Sequence, residues 1–147
     1  GKIVDIKFQE NTTAYSNTST STYVDATNHN ITYTPSATNN ILYIEFIPNI
    51  RRNSGSGDCS FRYKITRTIG GSGSTFYEST DTENYWYDSS GGQRLQNPFL
   101  FLHRDNSHNT TSEITYSVAF RNPHASSTVY ISNDATPTRW RITEVKP

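Results

Sequence analysis

The sequence predicts an all-β protein, an antiparallel β-sandwich or jelly roll of about ten short strands. Three observations lead there. Apolar residues recur with a period of two along most of the chain. Helix formers are scarce (six Ala, four Leu, six Glu, three Gln, no Met), while β-branched and aromatic residues abound. Gly, Asn, Asp and Ser gather in clusters between the alternating runs. At 147 residues the length fits one domain, and no loop is long enough to link two cores.

The expected strands are 2–9, 20–27, 30–34, 41–50, 59–69, 75–79, 93–102, 113–121, 128–132 and 139–145. In the first, Val4, Ile6 and Phe8 alternate with Asp5 and Lys7, which predicts that these three face the core. Ile31 and Tyr33 alternate with Thr32 and Thr34 in the same way. Ile41 to Ile47 is apolar on both faces apart from Glu45, and Phe99-Leu100-Phe101-Leu102 is apolar throughout. Such runs suit strands covered on both sides, by a second layer or by another subunit. Phe61, Tyr63, Ile65 and Ile69 mark a core-facing edge interrupted by Arg67, and Ile114, Tyr116, Val118 and Phe120 mark another. Trp140, between Arg139 and Arg141, is expected in the core or at a subunit interface. Residues 53–58, 70–74, 89–92 and 133–137 carry the turn chemistry.

Composition removes several function classes. Thirteen basic residues balance 13 acidic ones, so no sustained field attracts a phosphate backbone, and a nucleic-acid partner is not expected. No apolar run approaches the ~18 residues of a membrane helix, so no membrane insertion is expected. The single cysteine, Cys59, excludes an intramolecular disulfide and a cysteine-rich metal site; it reads as a small apolar filler or an edge residue. Ser, Thr and Asn supply 53 residues, more than a third of the chain, so the polar surface is largely uncharged. Leu, Ile, Val and Phe together number only 28, which leaves aromatics to fill much of the core.

Catalytic patterns are absent. His29, His103, His108 and His124 fit no metal-ligand spacing, and Gly55-Ser56-Gly57 and Gly71-Ser72-Gly73 join no strand to a helix as a nucleophile elbow would. Asp81, Glu83 and Asp88 are acidic loop residues with no defined separation across a cleft. No enzyme activity, cofactor or metal is expected. The aromatic run Tyr85-Trp86-Tyr87 lies in a polar stretch, and three consecutive rings cannot share one strand face, so at least one projects outward. Flat rings beside Asn, Asp and Arg suit stacking on sugars. Tyr85, Trp86 and Tyr87 are therefore candidate binding residues, and His103 and Arg104, in the densest polar group of the chain, are grouped with them; 81–92 and 103–111 are the expected loops.

Several runs resemble a family of phage tail-fibre and virion-surface tip domains. Ser19-Thr20-Ser21-Thr22-Tyr23-Val24-Asp25-Ala26-Thr27 is similar to the family's Ser/Thr-rich run ending in Tyr-Val/Thr-Asp-Val-Thr. Ile31 to Asn40, followed by Ile41-Leu42-Tyr43-Ile44, resembles its Ile-Thr-Pro-Ser-Ser-Thr turn and apolar strand. Thr110 to Val118, Thr128-Val129-Tyr130-Ile131-Ser132 and Arg141 to Val145 resemble its closing strands, whereas residues 51–98 do not align. The resemblance implies a β-sandwich head at the C-terminal part of a longer fibre chain. It further implies a homotrimer on the virion surface, beside other virion proteins, that binds a host-cell receptor, often a glycan. A capsid decoration or head-fibre protein, or a non-viral carbohydrate-binding module, are the alternatives.

Overall fold

The computed structural model describes residues 1–54, 57–89, 92, 94–124 and 127–147. The expected turns at Gly55-Ser56 and Ser90-Gly91 lie outside them, as does Gln93, the first residue of the expected strand 93–102. The described chain forms β1 (Lys2–Asn11), β2 (Tyr15–Asn17), β3 (Val24–Tyr33), β4 (Ile41–Ile47), β5 (Asn49–Ser54), β6 (Gly57–Ser60) and β7 (Arg62–Ile69). There follow β8 (Ser72–Glu78), β9 (Tyr85–Asp88), β10 (Arg94–Pro98), β11 (Phe101–Asp105), β12 (Ile114–Arg121), β13 (Ser127–Ile131) and β14 (Thr138–Lys146). Every pairing is antiparallel.

The sheets run β1-β14-β4-β11 and β2-β13-β5-β10, the same order of neighbours twice. Each of these four pairs is one long strand broken in the middle, so the two sheets are halves of one creased layer. The second layer is β3-β12-β7-β8, with β6 running into β7 and pairing with β9. The chain crosses between layers after β2, β3, β5, β9, β11 and β12. Eight long strands wound in this way make a jelly roll, so the fold class matches expectation.

Proline explains two of the breaks. Pro48 has no N–H to give the ladder, which splits the expected strand 41–50; Pro98 ends β10 in the same manner. The expected strands 20–27 and 30–34 are the single β3. A large bulge joins them, because Asp25 and Asn30 oppose Ala119 and Ser117 with only Val118 between. Two strands escaped the sequence reading: β2, three residues long, and β9, hidden in the polar stretch around Trp86.

One expectation is inverted. Ile6 and Phe8 point outward, 54% and 56% exposed, and Val4 is exposed beside them. The register of β1 on β14 decides this, since β14 turns Trp140, Ile142 and Glu144 inward and pairs Thr143 with Ile6 and Arg141 with Phe8. The inner side of β1 is polar and finds partners on β3: Lys7 Nζ donates to Thr32 Oγ1 at 3.1 Å, and Tyr33 Oη to Asp5 at 3.2 Å. Leu100 and Leu102 also point outward, while Phe99 and Phe101 pack against the core, so that run is covered on one side only.

Between the layers lies a core built of rings. Phe46 stacks on Trp140 at 4.4 Å between centroids, Tyr63 on Phe101 at 4.5 Å, and Phe61 on Phe120 at 5.4 Å. Trp140 is fully buried there, and Cys59 is a buried free thiol whose pKa burial pushes up. Two carboxylates are buried with it. Asp105 accepts from Arg67 Nη1 at 2.9 and 2.8 Å, Tyr116 Oη at 2.6 Å and the Ser107 amide at 3.0 Å. Glu144 accepts from Tyr33 Oη and Asn40 Nδ2, each at 2.7 Å, and from the amide and hydroxyl of Ser36, each at 2.9 Å.

Burial alone would raise both carboxyl pKa values. The donors outweigh it: Tyr116, Arg67 and Ser107 hold Asp105 below the ordinary 3.8, and Asn40, Tyr33 and Ser36 hold Glu144 below 4.5. A carboxylate depressed on folding adds stability that is complete above its unfolded pKa and is lost as pH falls through the folded one. Burial also draws the pKa values of His29 and His103 below 6.5, so their share of stability starts to be lost as pH falls through about 6.5. The two carboxylates add to the loss below 4.5. Unfolding free energy, measured by urea titration at each pH, is expected to be level above about pH 7 and to fall more steeply below 4.5. Glu144→Gln is expected to lower stability at pH 7 by about 2 kcal/mol and to flatten that acid slope.

Candidate functional site

Strand β9 pairs with β6, setting Tyr85 opposite Ser60, Trp86 opposite Cys59 and Tyr87 opposite Asp58. Alternation along four residues then sends the three rings two ways. Tyr85 and Tyr87 stand side by side on the outside, 47% and 58% exposed. Trp86 turns inward, where the Arg52 guanidinium lies 5.9 Å from its ring and 5.3 Å from that of Phe99. Arg52 is buried, desolvation draws its pKa down, and its Nε has no hydrogen-bond partner among the described residues.

The exposed pair has polar company. Tyr85 Oη donates to Asp58 Oδ1, and the same carboxylate lies 3.8 Å from His124 Nδ1. The His124 ring meets Tyr85 edge-on, with centroids 5.7 Å apart. The bond to Asp58 raises the Tyr85 pKa, which keeps the phenol neutral and committed as a donor. Behind the pair, residues 79–84 are tied down: Arg62 bridges Asp81 and Glu78 and donates to Tyr23 Oη, and Arg121 also reaches Asp81. The Phe61 amide donates to the Asn84 carbonyl at 3.2 Å. Two ring faces and a carboxylate acceptor therefore project from a braced end of the second layer, with the largely covered His124 imidazole behind them. That set can stack on a flat apolar surface and bond hydroxyls around its rim.

The five residues singled out by sequence do not form one site. His103 and Arg104 lie in β11, not in a loop, and point to opposite faces. His103 faces the core, 4.3 Å from the Tyr77 ring with Nε2 3.2 Å from Tyr63 Oη, and burial pulls its pKa down. Arg104 projects from the outer face of the first layer, opposite Tyr43. Asp58, by contrast, was not marked by sequence, and His124 stood there only among four unplaced histidines. Their role depends on the β6–β9 register, for which the sequence carries no signal beyond the aromatic alternation.

Elsewhere, the β3 bulge opens a depression of about 320 Å³ lined by Asp25, Ala26, Thr27, Thr66, Ser117 and Val118. It offers one carboxylate and three hydroxyls but no ring. Among the described residues there is no group of three or more His, Cys, Asp or Glu placed to hold a metal ion.

No protein-family model matches the sequence, and no curated protein matches it. Among solved structures, the chain is similar to the insecticidal delta-endotoxin Cry8Ea1 of Bacillus thuringiensis, at 17% identity and a TM-score of 0.45. That likeness covers 90% of this chain and 20% of the toxin. The infectious bursal disease virus VP2 subviral particle matches at 12% identity and a TM-score of 0.46, covering 95% of this chain and 37% of that one. The dimeric latent PorU of Porphyromonas gingivalis matches at 9% and 0.41, covering 97% and 13%. The chain thus spans well under half the length of each. Scores at this level leave fold and function to be argued from the chain itself.

Because the two tyrosines are exposed and the tryptophan is packed, truncation should separate them. Tyr85→Ala and Tyr87→Ala are expected to change unfolding free energy by no more than about 0.5 kcal/mol. Trp86→Ala, which uncovers Arg52 and Cys59, is expected to cost about 2–4 kcal/mol in the same denaturant titration.

Proposed function

We propose that this chain is a virion-surface domain, of bacteriophage type, that attaches the particle to a host-cell receptor through the Tyr85–Tyr87 face. The receptor chemistry that fits is a glycan. The observation that carries this reading is the pair of neighbouring exposed tyrosines beside Asp58, a ring platform with a carboxylate at its edge. Trp86 faces inward, so ring contact with the ligand falls to its two neighbours.

Three further features support the reading. The runs at 19–46 and 110–145 resemble virion-surface tip domains. The surface is polar and the net charge is zero, suited to sugars and not to a phosphate backbone. Tyr85, Tyr87 and Asp58 are held on paired strands, which lowers the entropic cost of binding a ligand. Binding, not catalysis, is its chemistry: the exposed groups include a donor phenol and an acceptor carboxylate but no activated nucleophile. Display in several identical copies on one particle turns weak single contacts into firm attachment.

A labelled domain applied to a glycan array and to a panel of bacterial cells tests the proposal. Binding to a defined glycan class or host is expected, reduced at least about tenfold in the Tyr85→Ala/Tyr87→Ala variant, the loss expected of one or two stacked contacts. Absence of binding to any cell or glycan, or equal binding by the double variant, overturns it.

A further inference from the structure

The outer face of the first layer is an unpartnered surface with a pattern of its own. Phe8 pairs with Arg141, Arg141 with Glu45, and Glu45 with Leu102, and all four side chains lie on the outer side. Across β1, β14, β4 and β11 the row therefore reads apolar, positive, negative, apolar. Ile6–Thr143–Tyr43–Arg104 is the neighbouring row on one side, with Ile3–Val145–Ile41 beyond it, and Glu10–Arg139–Ile47 is the neighbouring row on the other. Arg141 grips Glu45 through Nε and through Nη2 at 2.6 Å, and Arg139 meets Glu10 at 2.9 Å, so the charges on this face are largely neutralised within it.

The Phe8–Arg141–Glu45–Leu102 row is its own complement. A half-turn about an axis parallel to the strands, between β14 and β4, lays it on its reverse. Phe8 then meets the second copy's Leu102, and Arg141 meets the second copy's Glu45, each contact occurring twice. Charge complementarity is thus built into one surface, which is the requirement of an isologous interface. Four strands about 4.8 Å apart and about seven residues long span a face of about 20 by 23 Å, about 460 Å² in projection, the scale of the smaller and weaker associations. Its apolar residues include Ile3, Ile6, Phe8 and Leu102, each more than half exposed.

We propose that this face joins two copies of the chain in a two-fold pair, sheet packed on sheet. The pair differs from the three-fold ring that the resemblance to fibre heads implies. It stands on the first layer alone, whereas attachment depends on Tyr85 and Tyr87 at the end of the second, so the two readings fail separately.

Light scattering coupled to gel filtration, at tens of micromolar, reads the pairing directly. The wild-type chain is expected at twice its 16.6 kDa mass. Phe8→Lys and Leu102→Glu, each a charge set against an apolar partner, are each expected at the single-chain mass with unchanged circular dichroism and a cooperative unfolding transition whose midpoint no longer depends on protein concentration. Should one of them unfold, the other carries the same reading. The Phe8→Lys/Leu102→Glu double variant is expected to pair again, because lysine then faces glutamate across the interface, while within one chain the two positions are three strands apart. Tyr85→Ala/Tyr87→Ala should leave the mass doubled. A wild-type chain of single or triple mass, or a folded double variant that stays single, overturns the proposal.

Discussion

Glu144 is the constraint on which much of the architecture hangs. It sits on the inner side of β14, in the middle of a layer, yet its partners belong to the crossing between layers. Tyr33 ends β3 in the second layer; Ser36 and Asn40 form the turn that leads to β4 in the first. One carboxylate thus sets where the chain leaves one sheet and enters the other. His108 extends the arrangement, with Nε2 2.8 Å from the Asn40 carbonyl. Asp105 plays the corresponding part at the far side of the layer, where Arg67 of β7 and Tyr116 of β12 reach across to β11. In a chain with so few aliphatic residues, these satisfied buried charges fix the placement of the strands, which hydrophobic burial alone leaves loosely specified.

The legible parts of the fold were those governed by local alternation. β7, β12 and β14 follow their period-two patterns, and the aromatics at 61, 63, 120 and 140 are the core that the sequence required of them. The failures come from long-range register. The apolar stripe of β1 is as regular as any, but the pattern names two faces without saying which is inner, and β14 chose the polar one. His103 and Arg104 looked like loop residues because the expected strand 93–102 stopped where its apolar run stops, whereas β11 continues to Asp105. At the candidate site the outward turn of part of the Tyr85-Trp86-Tyr87 run was readable from spacing alone. Asp58 and His124 were not, since they arrive from β6 and from beyond β12.

The two outer faces of the sandwich have been given different chemistry. The first layer shows Ile, Phe, Leu and internally paired ions. The second shows Thr66, Thr68, Thr115 and Ser117, with the two tyrosines at one end. A sandwich whose sides differ this sharply has one side suited to protein contact and another suited to a hydrated ligand. That division explains how a chain of low aliphatic content still displays large apolar groups: its rings fill the interior, and the surplus aliphatics gather on one exterior.

The crease of the first layer has its own consequence. The breaks between β1 and β2, β14 and β13, β4 and β5, and β11 and β10 line up across the sheet. They are stitched by Ser132 to Thr138, the Ser132 amide to Asn49, and the Phe99 amide to Pro48. Along that line the ladder is interrupted in every strand at once, so the phase of side chains on one half is uncoupled from the other. A residue gained or lost at the crease is absorbed there, without turning a whole strand inside out. The half bearing the wide apolar face and the half beside the tyrosines can therefore diverge in sequence at separate rates, as two drafts bound along one spine.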